Sequence, residues 1–305
     1  MMTGHAPVTD KLLTSFLSSA EAGDYRRGLF PGVLDVASLE RPMSSPDLQV
    51  LFSDGALQAI GKMTALEWDS DFFGTPSGRI ESLYFQDSST SPYADRSSMV
   101  KKLVASAECQ GVSFLNCRIT AEDSFLAHAL EEEGFRLCDI LNIYLAELGD
   151  ETVGGLDNRQ EAKEILGRCV ANMNFGRVHQ DPKITSSLAS KFYQDTTDWV
   201  LSKNCHVTIA RFDGKPAGLA IGVMDEEMSQ AMDSRYGFLW LIAVMPEYEG
   251  RGIGGKLLKA FMGEFSAACD LLEIGTQVSN ISANRLYQRA GCRLATQALT
   301  FHRWS

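Results

Sequence analysis

Residues 241–258 (LIAVMPEYEGRGIGGKLL) hold an apolar run that stops at Pro246, turns through glycines and restarts at helical spacing. This order predicts a strand, a tight loop and the first turns of a helix. Glycines at 250, 252, 254 and 255 let successive backbone N–H groups converge with no Cβ in the way. A helix beginning near Gly252 aims the positive end of its dipole at the same point, so the expected occupant is an anion of phosphate size.

Other glycine loops fit less well. A Walker loop requires a hydroxyl after its lysine, and Lys256 is followed by Leu257, which leaves nothing to hold magnesium. The Gly-x-Gly-x-x-Gly spacing of a dinucleotide loop is formally present at Gly250, Gly252 and Gly255. The acidic residue at about the right distance, Glu273, lies inside a strand pattern rather than at a strand end. A turn that merely joins strand to helix is the simplest alternative.

Downstream, residues 270–278 (DLLEIGTQV) read as a short buried strand, and residues 280–291 (NISANRLYQRAG) as a helix closed by glycine. The two segments together resemble the GNAT N-acetyltransferase superfamily. The first carries V-x-P followed by x-G-R-G-x-G-G, as in that family's acyl-CoA pyrophosphate loop. The second carries N-x-x-A-x-x-L-Y-x-x-x-G at Asn280, Ala283, Leu286, Tyr287 and Gly291. Two positions depart from the pattern: Glu249 stands where Gln or Arg is usual, and Cys292 where an aromatic residue is common.

The resemblance implies an α/β (α+β) fold, a mixed and mostly antiparallel sheet flanked by helices, with a smaller βαβ-type domain before it. It implies acetyl-CoA as co-substrate and no metal. Coenzyme A contacts are expected from Ile242, Ala243 and Val244, whose backbone groups the family leaves free for pantetheine amides and the developing oxyanion. Further contacts are expected from Gly250, Arg251, Gly252, Ile253, Gly254, Gly255, Lys256, Asn280 and Ala283. Tyr287 is implied to stand beside the thioester sulfur and to protonate the leaving thiolate; the alternative is that it only packs against pantetheine. Direct transfer is expected, because Cys292 follows a helix C-terminus, where the dipole disfavours a thiolate.

Periodicity orders the rest of the chain. Strand-like residues 78–85, 112–119 and 135–148 alternate with helix-like residues 97–110 and 122–133, a βαβαβ order. An acidic, glycine-bearing stretch at 147–155 supplies the linker. Helices at 159–172 and 185–203 and strands at 205–212, 217–224 and 236–244 then lead into the glycine loop. Three parts are expected: an extension over 1–60 with one helix at 10–20 and no legible role, an α/β domain over 61–150, and an acetyltransferase domain over 156–305.

Residues 66–74 (LEWDSDFFG), 174–184 (NFGRVHQDPKI), 189–200 (ASKFYQDTTDWV), 276–280 (TQVSN) and the aromatic C-terminal strand narrow the resemblance. Together they look like the TDP-fucosamine acetyltransferases and their relatives, over about residues 60–305. That likeness implies an acceptor amine on a nucleotide-linked amino deoxysugar and contacts to it from Phe175, Arg177, His179 and Tyr193. His179 and Asp181 lie in a polar loop expected over the acceptor side and are candidates for receiving the ammonium proton. No acidic residue occupies 238–244, so ordered water is an equal candidate. Trp68, Phe72, Phe73, Tyr193 and Trp199 read mainly as packing. Competing functions are transfer to another small amine or a protein N-terminus, and a non-catalytic acyl-CoA sensor.

Composition bounds the partners. The 28 basic and 39 acidic residues give a net charge of −11, which argues against nucleic acid or an anionic membrane as partner. Residues 236–305 reverse the balance, with seven basic against five acidic, as a polyphosphate site would want. Seven cysteines with no C-x-x-C spacing, no membrane-length apolar run and no signal-like N-terminus lead to the expectation of a cytoplasmic protein with reduced thiols. The expected partner is a small-molecule amine, and a homodimer is left open.

Overall fold

The glycine-loop strand and its neighbours build half of the fold. A computed structural model of the chain describes residues 16, 20–22, 48–53, 56–86, 90–149, 159–170 and 176–305. Contacts divide it into two units, residues 1–138 with 297–305, and residues 139–296. The helix expected at 10–20 lies almost wholly outside the described residues.

In the first unit the described elements run β1 (Ala20–Ala22), β2 (Leu48–Ser53), β3 (Ala56–Ala65), α1 (Glu67–Phe73), β4 (Ser77–Gln86), α2 (Pro92–Cys109), β5 (Phe114–Thr120) and α3 (Ser124–Glu132). Strands β2, β3 and β4 pair antiparallel, and β4 pairs parallel with β5 over residues 77–80 and 114–117. Further along, residues 84–86 of β4 pair with β1 instead. Residues 298–304, from the last strand β11 (Arg293–Trp304), run antiparallel to β5. The core joins α2 and α3 to the sheet through Met99, Leu103, Leu115, Leu126 and Phe301. Trp68, Phe72 and Phe73 pack as expected: Trp68 stacks on Phe72 at 5.2 Å, and Phe73 meets Phe114 at 5.3 Å and Trp304 at 5.8 Å.

The second unit takes residues 139–147 of β6 (Arg136–Glu147), then α4 (Arg159–Val170), α5 (Ser186–Leu201), β7 (His206–Phe212), β8 (Lys215–Met224), α6 (Glu226–Met232), β9 (Tyr236–Val244), α7 (Ile253–Phe265), β10 (Leu271–Gln277) and α8 (Ile281–Arg289). Its strands lie in the order β6-β10-β9-β8-β7, antiparallel except for the parallel pair β10 and β9. One face is covered by α7, whose Leu257, Leu258, Phe261 and Phe265 pack on Leu239, Leu272 and Ile274. The other is covered by α4 and α5, with Ile165, Leu166, Val200 and Leu201 against Leu219 and Ile221. This is the mixed, mostly antiparallel α/β sheet that the resemblance implied.

The two units repeat one order of elements. An antiparallel hairpin, a short helix, a third strand, a longer helix, a parallel strand and a further helix occur as β2-β3-α1-β4-α2-β5-α3 and again as β7-β8-α6-β9-α7-β10-α8. The short helices α1 and α6 are seven residues each. The glycine loop between β9 and α7 has no counterpart between β4 and α2, where residues 87–91 read DSSTS.

Three details differ from the sequence reading. The division between units falls at 138/139 rather than at 150–156, because residues 141–147 pair with the whole of β10, and sequence pattern does not show which strand a strand will join. Residues 297–305 belong to the first unit for the same reason. Trp199 is 50% exposed, with the Lys203 ammonium 5.1 Å from its ring, so it does not pack in the core.

Candidate active site

β9 and β10 pair only where Leu271, Leu272 and Glu273 face Tyr236, Gly237 and Phe238. Beyond that point residues 274–277 stay on β6 while residues 241–244 stay on β8, so a gap opens between two strands of one sheet. Trp240 is left over in the register between β8 and β9, a bulge that turns the far half of β9. Gly218 lets β8 come close: a Cβ there would lie 2.5 Å from the Ala243 carbonyl oxygen. Residues 242–244 therefore present backbone to the gap on the side that a sheet neighbour would ordinarily take.

The chain leaves β9 through a 3-10 turn at Pro246–Tyr248 and enters the glycine loop. Gly250 and Gly252 both have φ of +73°, a left-handed conformation that side chains with a Cβ rarely adopt. Among the described residues, the N–H groups of residues 250–255 make no hydrogen bond. Helix α7 begins at Ile253, so its N-terminal donors add to those of the loop. A convergence of unpaired amide donors at a helix N-terminus is suited to a diphosphate.

A cleft of about 1130 Å³ joins these features. Of the residues expected to hold coenzyme A, those at 242–244, 250, 252–255, 280 and 283 line it. Arg251 and Lys256 do not. Arg251 lays its guanidinium over the Phe212 ring at 5.0 Å. Lys256 is exposed on α7. The cleft also takes in Glu147, Leu148, Cys169, Glu249, Lys259 and Arg289, which the sequence reading did not assign to it. Lys259 and Arg289 bring positive charge along α7 and α8; both had been read within a basic segment, and the helical register decides which of its cations face inward.

Asn280 caps α8 by accepting a hydrogen bond from the Ala283 N–H at 3.2 Å. Tyr287, two turns further on, is 4% exposed, and its ring lies 5.7 Å from that of Tyr144. Burial pushes its phenol well above the ordinary value, so it keeps its proton throughout the neutral range. Burial also raises the thiol of Cys292 and pushes that of Cys169 up to about 11. Both shifts disfavour a thiolate at neutral pH, which argues against either cysteine as a nucleophile.

The loop before α5 gathers most of the expected acceptor residues. His179 stacks on Tyr193 at 5.2 Å and an interplanar angle of 10°. Arg177 lies over Phe192 at 5.1 Å. Gly176, with φ of +107°, accommodates the Tyr193 hydroxyl where a Cβ would be 1.7 Å away. Asp181 is 4% exposed, and its carboxylate accepts the Lys183 N–H at 2.8 Å, which folds the turn into α5. Phe175 lies outside the described residues. None of Arg177, His179, Asp181 and Tyr193 lines the cleft that holds the glycine loop.

Residues 175–292 match the model of the acetyltransferase (GNAT) family. An uncharacterized N-acetyltransferase of Methanocaldococcus jannaschii, MJ1530, is 33% identical over 97 residues, 31% of this chain and 56% of that protein. The spore coat polysaccharide biosynthesis protein SpsD of Bacillus subtilis is 24% identical over 206 residues, 63% of this chain and 66% of that protein. The matches thus span less than two thirds of either relative. Among solved structures, a GCN5-related N-acetyltransferase from Sphaerobacter thermophilus superimposes with a TM-score of 0.54 at 15% identity, over 88% of this chain and 84% of that one. A tandem GNAT protein from the clavulanic acid biosynthesis pathway gives 0.53 at 13% identity, over 98% and 94%. At such identities the likeness establishes the fold.

Proposed function

We propose, taking residues 175–292 as a GNAT acetyltransferase segment, that the chain is an N-acetyltransferase using acetyl-CoA and the amine of a nucleotide-linked amino deoxysugar. The observation that carries the reading is the set of unpaired N–H groups over residues 250–255, set at the mouth of a gap between two strands. The loop and the start of α7 bind the diphosphate. Lys259 and Arg289 add charge on the same side, while Glu249 opposes it, so affinity is expected to rest on backbone donors rather than on loop side chains.

Residues 242–244 hold the pantetheine amides by strand-like hydrogen bonds, and a backbone N–H near Val244 stabilises the oxygen that gains charge as the amine attacks the thioester. Tyr287 donates its hydroxyl to the leaving thiolate. The attacking amine loses its proton to ordered water or to His179 or Asp181 of the loop before α5, which also selects the acceptor together with Phe175, Arg177 and Tyr193. No enzyme-bound acyl group is needed.

The acceptor class rests on the resemblance over residues 60–305 and on the similarity to SpsD, whose name places it in polysaccharide biosynthesis. Incubation with labelled acetyl-CoA and a panel of nucleotide amino sugars, simple amines and peptide N-termini tests it. The expected result is label transfer to the sugar nucleotides. Transfer confined to peptides or simple amines would exclude the sugar reading, and binding with no transfer to any amine would favour a sensor.

A further inference from the structure

Asn284 lies one helical turn before Tyr287 on the buried side of α8, 8% exposed. Its side-chain amide is fully used. Oδ1 accepts from Asn142 Nδ2 at 2.7 Å and from the Tyr144 hydroxyl at 2.9 Å. Nδ2 donates to the backbone carbonyls of Asn280 at 2.8 Å and Gln277 at 2.9 Å. The two carbonyls can only accept, so they fix which end of the amide faces which way.

These four bonds tie the end of β10 and the start of α8 to Tyr144, which packs on Tyr287; of these only Asn280 lines the cleft itself. Gln277 ends β10, the strand that forms one wall of the gap. Asn280 begins the helix that borders the cleft. Tyr144, held by Asn284 and also contacted by Gln288 Nε2 at 3.4 Å, sets its ring against that of Tyr287. Among the described residues the Tyr287 hydroxyl has no hydrogen-bond partner. The phenol is therefore held by packing, and Asn284 hydrogen-bonds the Tyr144 whose ring lies against it. A fully satisfied buried network of this kind holds one geometry, because any shift strands a polar group out of water.

We infer that Asn284 is a positioning residue for the reaction: through Tyr144 and the start of α8 it holds the Tyr287 hydroxyl toward the sulfur of the bound thioester. The inference rests on the reading of Tyr287 as the donor to the leaving thiolate. Aspartate in place of Asn284 keeps the volume but turns a second acceptor toward the carbonyls of Gln277 and Asn280. Alanine removes the hub altogether.

The test uses coenzyme A itself, so it does not wait on the acceptor. The pH at which the bound thiol ionises is followed by thiolate ultraviolet absorbance, in a cycle of wild type, Tyr287→Phe, Asn284→Asp, Asn284→Ala and the double variants. A hydrogen bond to the thiolate favours ionisation, so Tyr287→Phe is expected to raise the midpoint by about one pH unit. Each Asn284 variant is expected to raise it in the same direction with coenzyme A affinity within about threefold of wild type, the tolerance of a side chain that touches no ligand. In the Tyr287→Phe background, changing Asn284 is expected to add nothing.

Additive shifts in the double variants would show that Asn284 acts independently and would overturn the inference. So would unchanged midpoints in the Asn284 variants, and so would a loss of affinity or folding in both, which would mark a merely structural role. In those cases a shift in Tyr287→Phe leaves the catalytic reading standing. An unchanged midpoint in Tyr287→Phe removes both.

Discussion

Glu273 accepts a hydrogen bond from the hydroxyl of Tyr236 at the closed end of the gap between β9 and β10. Both side chains are buried, at 4% and 0% exposure. A buried carboxyl group is unfavourable without hydrogen-bond partners, so this contact favours the register in which the strands meet for three rungs and then part. Tyr236→Phe removes one donor and is expected to destabilise the fold by about 1–3 kcal/mol. Urea denaturation reads this as a lower midpoint, and an unchanged midpoint would show that the pair does not secure the junction.

Buried thiols are expected to make stability fall at alkaline pH. Cys269 is pushed up to about 12 and Cys169 to about 11, chiefly by burial, from an ordinary value of 9.0. Below pH 9 folded and unfolded chains both keep these protons, and stability does not depend on them. Above it the unfolded chain releases protons that the folded chain retains, so stability falls as pH rises, by at most about 1.4 kcal/mol per pH unit per thiol. Denaturation midpoints compared at pH 8, 9 and 10 (working values of roughly the thiol range) are expected to decline. Cys269→Ala should decline less steeply, and an identical slope in that variant would exclude the thiol as a cause.

The loop before α5 is expected to separate acceptor from donor. Replacing Arg177 and His179 by Ala removes two stacked partners of Phe192 and Tyr193 and leaves the glycine loop untouched. The Michaelis constant for the proposed acceptor amine is expected to rise about tenfold or more, in line with lost buried polar contacts, with coenzyme A affinity nearly unchanged. Equal losses for both ligands would mean that the loop supports the fold rather than the acceptor.

The strand, glycine loop and helix of residues 236–265 were legible in sequence because each carries a local signal: an apolar run, a proline, glycines and helical spacing. The helix that starts near Asn280 was legible for the same reason. Strands β2 and β3 were missed, since Ser, Gly and Lys interrupt their alternation, and α6 falls in a polar acidic segment that reads as a loop. Pairing partners were not legible at all. Residues 141–147 and 298–304 look like ordinary strands, and only contacts between distant segments decide which strands they join. Arg251, expected among the coenzyme A contacts, lays its guanidinium over Phe212 outside the cleft lining, a placement that no local sequence signal shows.

The repeated order of elements raises the question of how many acyl-CoA sites one chain holds. The first unit has no glycine loop after β4, and the strand residues that would flank a gap, 84–86, are already paired with β1. Calorimetric titration of the full chain with coenzyme A addresses this and the central reading together. One molecule is expected to bind per chain, and Gly252→Glu, which puts a side chain and a negative charge among the donors of residues 250–255, is expected to abolish binding while leaving the thermal transition in place. Two sites per chain, or unchanged affinity in a folded Gly252→Glu variant, would contradict the account.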